Sequence, residues 1–280
     1  MIFEPLGVPS LMRDYGIKPK KGLGQNFLID ETYLAKITED AHIDKNTDVL
    51  EIGAGMGNLT RHLATSARQV TAVELDRRLI PILKKVTRDF VNVRIVQGDI
   101  LELPVGDLMD APGYVVAANI PYYITSALIR YLLECTVKPS AIVLTIQREV
   151  AQRICADAGA LSLLALSVQV YGSPKIAVRI PAGAFYPAPK VDSAVLTVDL
   201  YDKPLIPSAQ LDHFFRLAKV AFAQKRKMLH NALAGAPELN KEQTDILLSQ
   251  TGIDPKRRAQ MLTIDEWRRL TNAYEEMRIN

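Results

Sequence analysis

The tetrapeptide Asn119-Ile120-Pro121-Tyr122 is the sharpest chemical signal in the sequence. An exocyclic amine on an aromatic base is a poor nucleophile, because its lone pair is delocalised into the ring. A catalyst must therefore hold that amine where the pair localises toward an electrophile. Two acceptors suffice: the side-chain oxygen of Asn119 and the backbone carbonyl of Ile120, with Pro121 fixing the turn between them. Tyr122 follows at once and supplies an aromatic face on which the base can stack. An Asx turn ahead of a proline is the bland alternative. The tetrapeptide closes a β-branched run, Val115 to Ala118, which favours the catalytic reading.

A second group of residues suits an adenosine-containing cofactor. Glu51-Ile52-Gly53-Ala54-Gly55-Met56-Gly57-Asn58 joins a predicted strand to a predicted helix, and glycines in such a turn let a ligand approach the backbone. Glu74 lies 21 positions after Gly53, at the end of the next predicted strand, where a carboxylate can accept hydrogen bonds from ribose hydroxyls. Asp99, just past the third strand, falls at the same sheet end and can accept a bond from an adenine amine, or merely cap a turn. Gly53, Gly55 and Gly57 stand two apart, and Asn58 occupies the place where a dinucleotide fingerprint needs a small residue. The spacing thus favours S-adenosylmethionine over NAD, although a tight packing turn also uses glycine. Methyl transfer from a sulfonium is an in-line displacement and needs no metal.

The elements that must carry these residues follow from periodicity. Predicted strands cover Val49 to Ile52, Val70 to Glu74, Val93 to Val96, Val115 to Ala118, Ala141 to Ile146, Ile176 to Ile180 and Ala194 to Leu200. Helical spacing marks Leu59 to Ala67, Arg77 to Arg88 and Ser126 to Cys135 between them. This alternation predicts an α/β domain around a mostly parallel seven-stranded sheet. Pro204 and Pro207 mark a linker, and the rest reads as helices broken at Gly235 to Pro237 and at Gly252 to Pro255. The predicted division is 1–202 for the α/β domain and 203–280 for a small helical domain.

Charge separates the same two parts. Residues 1–204 hold 22 basic and 22 acidic side chains, whereas residues 205–280 hold 12 and 9. The excess is concentrated in Lys225-Arg226-Lys227 and Lys256-Arg257-Arg258, and Lys18, Lys20 and Lys21 form a third cluster. Clustered cations suit a phosphate backbone, or are simply a solvated helix face. Two cysteines among 280 residues exclude a disulfide scaffold. The four histidines show no ligand spacing, so no metal is expected. The longest apolar stretch is too short to cross a bilayer and the start lacks a leader pattern, so the expected setting is the cytoplasm, away from membranes.

In order along nearly the whole chain, these segments closely resemble the ribosomal RNA adenine N6,N6-dimethyltransferases, specifically the small-subunit (16S) branch. Lys21-Gly22-Leu23-Gly24-Gln25-Asn26-Phe27-Leu28 resembles the family's N-terminal motif, in which Asn26 and Leu28 would contact the cofactor. Gly53, Glu74, Asp99 and Asn119 match its other cofactor positions. Phe185-Tyr186-Pro187-Ala188-Pro189-Lys190-Val191-Asp192-Ser193 matches the loop whose first aromatic, Phe185, would flank the target base. Ala221 to Lys227 and Gly252 to Pro255 match the basic helix and the turn of its helical domain. The family loop between Arg153 and Leu161 is usually longer than the seven residues present here.

The resemblance implies a Rossmann-like class I methyltransferase domain using S-adenosylmethionine. It further implies dimethylation of two adjacent adenosines near the 3′ end of small-subunit ribosomal RNA in a pre-ribosomal particle, during ribosome assembly, by a monomeric enzyme. Lys225, Arg226 and Lys227 would bind RNA. Gly24 before Gln25, and Asp192, lean toward the small-subunit branch over its large-subunit relatives. A catalytically idle nucleic-acid-binding assembly or transcription factor on the same fold is the rival from another class.

Overall fold

A computed structural model describes residues 3–235 and 239–279, with the side chains of Lys21 and Ile279 outside the described set. The chain forms two compact units, one comprising the residues up to Ala151 with Pro174–Leu200, the other Gln152–Ser173 with the residues from Tyr201. The helical unit thus draws in a segment that a single cut at 202/203 leaves in the α/β domain. Its place is set by long-range contacts: the Gly159 amide donates to the Gln260 carbonyl at 2.8 Å, and Leu161, Ala165, Leu166 and Val170 join the core around Trp267.

Nine strands are present among the described residues: β1 (Phe27–Leu28), β2 (Asp48–Ile52), β3 (Gln69–Glu74), β4 (Val93–Gln97), β5 (Val115–Asn119), β6 (Ala141–Gln147), β7 (Gly172–Ile180), β8 (Phe185–Tyr186) and β9 (Ser193–Leu200). Seven make one sheet in the order β4-β3-β2-β5-β6-β9-β7. The pairs among β2 to β6 are parallel and β9 runs antiparallel to β6, with Gln147 opposite Ser193. Val49, Leu50, Val116, Ala117 and Leu144 are wholly buried, because helices cover both faces of the sheet. That double burial is why the strands read as unbroken apolar runs. The order reverses between β2 and β5, and ligands of open α/β sheets bind at the carboxyl ends flanking such a switch.

The helices of the first unit are α1 (Val8–Asp14), α2 (Glu31–Asp40), α3 (Asn58–Ser66), α4 (Ile80–Val86) and α5 (Thr125–Glu134), and the chain leaves that unit within α6 (Arg148–Ile154). Helix α4 starts later than the pattern from Arg77 predicts. Pro81 occupies its first turn, and Arg78 is bound to Asp76 in the preceding loop.

The short strands β1 and β8 form a separate antiparallel ribbon, pairing Phe27 with Tyr186 and Leu28 with Phe185. No sequence pattern announces it, since two residues carry no periodicity.

The second unit contains α7 (Leu163–Gln169), α8 (Leu211–Ala223), α9 (Leu229–Leu233), α10 (Lys241–Thr251) and α11 (Ile264–Ile279). Trp267, wholly buried, stacks on Phe222 at 5.9 Å and meets the edge of Phe214 at 6.2 Å. Helix α10 opens with a reciprocal Asn240–Gln243 cap and ends at Gly252 in the left-handed region. Of the predicted break at Gly235 to Pro237, Ala236 and Pro237 lie outside the described residues. No described helix is long and apolar enough to cross a membrane.

Candidate functional site

The carboxyl ends of β2, β3 and β5 and the segment before β1 enclose a cleft of about 850 Å³, partly open to solvent. Gly53, Gly55, Glu74, Asp99, Asn119, Tyr122, Asn26 and Phe185 all line it, so residues spread over some 160 positions of sequence converge. Leu28 does not. It is 2% exposed in the core and borders a smaller pocket beside the cleft. Phe185 is 4% exposed and belongs to the same core, so its ring contributes an edge of the wall and no free face.

The glycine loop is tied back to β3. The amides of Gly53 and Ala54 both donate to the Val73 carbonyl, at 2.9 and 3.1 Å, and the Gly55 amide donates to Glu74 Oε2 at 2.7 Å. Gly55 has φ 61°, and a Cβ there would lie 3.2 Å from the Phe27 ring, so the turn is closed to larger residues. Glu74 Oε1 accepts the Asp76 amide at 2.6 Å. Burial pushes the Glu74 carboxyl above its ordinary range, against the opposing pull of those two amides. Each oxygen keeps a second lone pair for a ligand hydroxyl. Asp99 uses Oδ1 to accept the Leu101 amide at 2.9 Å, so its turn-capping role is real and leaves Oδ2 on the cleft wall.

At the end of β5, Asn119 Nδ2 donates to the Asn26 carbonyl at 3.1 Å. That bond orients the amide and leaves Oδ1 as an acceptor. The Tyr122 hydroxyl meets Ser193 Oγ at 2.7 Å, which holds the half-buried ring in place, and burial raises its pKa. Tyr123, 62% exposed, also borders the cleft and was not singled out by the sequence.

Asp76 is a further residue without an obvious sequence signal, and its partner is Gln25 of the N-terminal motif. Gln25 accepts the Lys20 amide at 2.8 Å and donates to Asp76 Oδ2 at 3.0 Å, so the segment before β1 is pinned beside Glu74. Asp76, forked with Arg78, is held well below the usual carboxylate range by that guanidinium. Gly24 makes the approach possible: φ is 58°, and a Cβ would lie 3.0 Å from that of Pro121.

The smaller cavity holds buried polar atoms that nothing else satisfies. Glu51 Oε2 and both polar atoms of Asn58 line it and have no hydrogen-bond partner among the described residues. Burial, with the Glu74 charge adding to it, pushes the Glu51 carboxyl up to about 8. Unpartnered polar atoms beside a glycine loop and the Glu74 carboxyl are groups that a polar ligand can pair with.

Lys225, Arg226 and Lys227 are exposed but lie in the turn after α8, not on a basic helix. Of the neighbouring residues, Leu229 and Leu233 are core and Met228 is 43% exposed. The fold brings this turn against the second cluster, since the Leu229 amide donates to the Arg257 carbonyl at 2.6 Å and the His230 amide to that of Pro255 at 3.2 Å. Within that cluster Arg257 is structural, its guanidinium held by Glu266, while Lys256 and Arg258 are exposed. No group of three or more His, Cys, Asp or Glu among the described residues is arranged to hold a metal.

The sequence pattern that defines the ribosomal RNA adenine dimethylases matches residues 16–276. A ribosomal RNA small subunit methyltransferase A of Dehalococcoides mccartyi strain CBDB1 is 41% identical over 266 residues, covering 94% of this chain and 91% of its own. The protein of that name from Streptococcus equi subsp. zooepidemicus strain MGCS10565 is also 41% identical, with 96% of each chain covered. Among solved structures, a dimethyladenosine transferase from Plasmodium falciparum superposes with a TM-score of 0.77 at 26% identity, covering 89% of this chain and 98% of its own. The 23S rRNA methyltransferase ErmE superposes at 0.74 and 27%, covering 89% of this chain and all of its own.

Proposed function

The chain belongs to the ribosomal RNA adenine dimethylase family, and from that premise we propose that it transfers methyl groups from S-adenosylmethionine to N6 of two adjacent adenosines near the 3′ end of small-subunit ribosomal RNA. The relatives at 41% identity carry the small-subunit name, which favours that substrate over large-subunit RNA. Against an idle binding factor stands the complete set of polar groups around one cleft. The observation that carries the reading is the convergence of Asn119 and Tyr122 with the glycine loop, Glu74 and Asp99 at the switch point of the sheet.

When bound, S-adenosylmethionine supplies an electrophilic methyl group. Glu74 would accept the ribose hydroxyls and Asp99 the adenine amine, with Gly53, Gly55 and Asn26 giving close backbone approach. Asn119 Oδ1 and the Ile120 carbonyl would accept hydrogen bonds from N6–H, two for the unmodified amine and one after the first methylation, and so orient the lone pair of the target amine. Tyr122, steadied by Ser193, stacks on the base, with Phe185 as the wall behind it. Turning a base outward costs a few kcal/mol, and stacking returns roughly 1 to 3 kcal/mol per aromatic contact. Exposed Lys225, Arg226 and Lys227, beside Lys256 and Arg258, suit the phosphate backbone. The proposed setting is a pre-ribosomal particle in the cytoplasm, met by a monomer.

The test is labelled methyl transfer to small and large ribosomal particles that lack the modification, followed by mapping of the label. Two adjacent adenosines near the 3′ end of the small-subunit RNA are the expected sites. Label confined to large particles, or none with wild-type protein and cofactor, overturns the proposal.

A further inference from the structure

We infer that a second groove, beside the cleft, holds the other adenosine of the pair while its neighbour is methylated, an inference that rests on the RNA reading above. This groove encloses about 990 Å³, much of it open to solvent. It adjoins the cleft, because Gly24, Gln25, Asn26 and Tyr122 line both. A nucleotide joined covalently to one in the cleft must leave across that shared wall.

The chemistry of the groove matches a nucleotide in three respects. Pro187, Pro189 and Val191 form one side, with Val191 46% exposed, and give a base an apolar face to lie on. The half-buried amide of Gln147 presents a donor and an acceptor, as a base edge requires. Lys190 is exposed and lines the same groove, where its ammonium suits a phosphate. Neither Gln147 nor Lys190 has a side-chain hydrogen bond or ion pair with another described residue, so both are available to a ligand.

The groove is also rigid on both sides. Gln147 ends β6 opposite Ser193, the residue that holds the Tyr122 hydroxyl. The loop from Pro187 is closed at Asp192, whose carboxylate accepts the Ala182 amide at 3.2 Å and the Arg148 guanidinium at 3.4 Å, and whose carbonyl accepts the Arg148 amide at 3.1 Å. An amide and an ammonium displayed on a fixed frame can select one partner position without a folding cost.

The experiment is single-turnover methylation of small-subunit particles, either intact or reconstituted with an abasic nucleotide in place of the other adenosine. Wild type, Gln147→Ala and Lys190→Gln are compared at saturating S-adenosylmethionine. Because neither side chain supports the fold, melting temperatures and calorimetric cofactor affinities are expected to equal those of wild type. Gln147→Ala should slow the reaction on intact particles about tenfold, the loss of roughly one hydrogen bond to a base. On abasic particles wild type and variant should differ by no more than about twofold, since the partner of Gln147 is gone. Lys190→Gln should reduce the salt dependence of RNA binding by one phosphate contact, a change of about 0.7 in slope. An equal slowing by Gln147→Ala on both particles means that the groove meets something else, such as a particle protein, and overturns the inference. No slowing on either particle overturns it as well. A wild type that binds cofactor but methylates neither particle overturns the adenosine reading itself, and is thereby told apart.

Discussion

Behind α3 the Glu31 carboxylate accepts hydrogen bonds from the Arg61 guanidinium and from His62 Nε2, the latter at 2.6 Å, while in front of the same helix the Glu51 carboxyl stands beside Asn58 and Thr60 with no charged partner and with Oε2 unpaired among the described residues. Both carboxylates are buried, at 6% and 1% exposure. In the rear cluster the charges are paired, although Arg61 Nε has no hydrogen-bond partner among the described residues, and Arg61 also anchors the chain: it donates to the Glu4 carbonyl at 2.8 Å and lies 4.8 Å over the Phe3 ring. The front cluster borders the cavity next to the glycine loop. Buried charges that pair with one another hold a scaffold together, whereas buried polar groups left unpaired next to a cleft are open to a ligand.

The contrast breaks most directly at Glu31. Glu31→Ala leaves Arg61 buried without a counter-charge, and should lower the unfolding free energy by about 3 to 5 kcal/mol in urea titrations. A loss below about 1 kcal/mol would mean that the rear cluster is not structural. At the cleft the expected outcome is the reverse, function without stability. Asn119→Ala should keep its melting temperature, yet slow single-turnover methyl transfer about 100- to 1,000-fold at saturating S-adenosylmethionine. A rate within a fewfold of wild type would sink the amine-orienting role of Asn119.

Glu51 sharpens the comparison through pH. Its folded pKa, about 8, lies above the ordinary 4.5, so the folded state holds the proton more tightly than the unfolded chain. That contribution to stability is complete below about 4.5 and is lost as pH rises through about 8. Stability should therefore fall by a few kcal/mol between those limits, and Glu51→Gln should flatten this part of the profile. Parallel profiles for wild type and variant would show that Glu51 ionises normally. The smallest effect is expected at Glu74, whose replacement by Ala should weaken S-adenosylmethionine binding by roughly 1 to 3 kcal/mol in calorimetry. Unchanged affinity in a folded variant would remove Glu74 from the cofactor site.

The residues of the cleft were legible in the sequence where their signal is local. A glycine-rich turn after a β-branched run, a carboxylate at the next strand end and Asn119-Ile120-Pro121-Tyr122 each declare themselves within a few positions. The pairing of Gln25 with Asp76 did not, because it is a 3.0 Å bond between residues 51 positions apart. Leu28 matched a motif, yet its side chain is buried in the core beside Leu34 and Ile37 and borders only the smaller cavity, a placement set by packing between distant residues.

By itself the sequence determined the class of fold, the seven strands of the main sheet and the chemistry on offer at their carboxyl ends. Burial on both faces writes strands as apolar runs, and backbone dihedral preferences write turns as glycine and proline. Only the tertiary structure decided which segments belong together. Gln152–Ser173 joined the helical unit because Leu161, Leu166 and Val170 are buried there against residues some 50 to 100 positions later, and Arg257 was withdrawn from its basic cluster by Glu266. Such choices are made by burial and pairing between distant residues, whose free energies depend on which surfaces meet and leave no period in the chain.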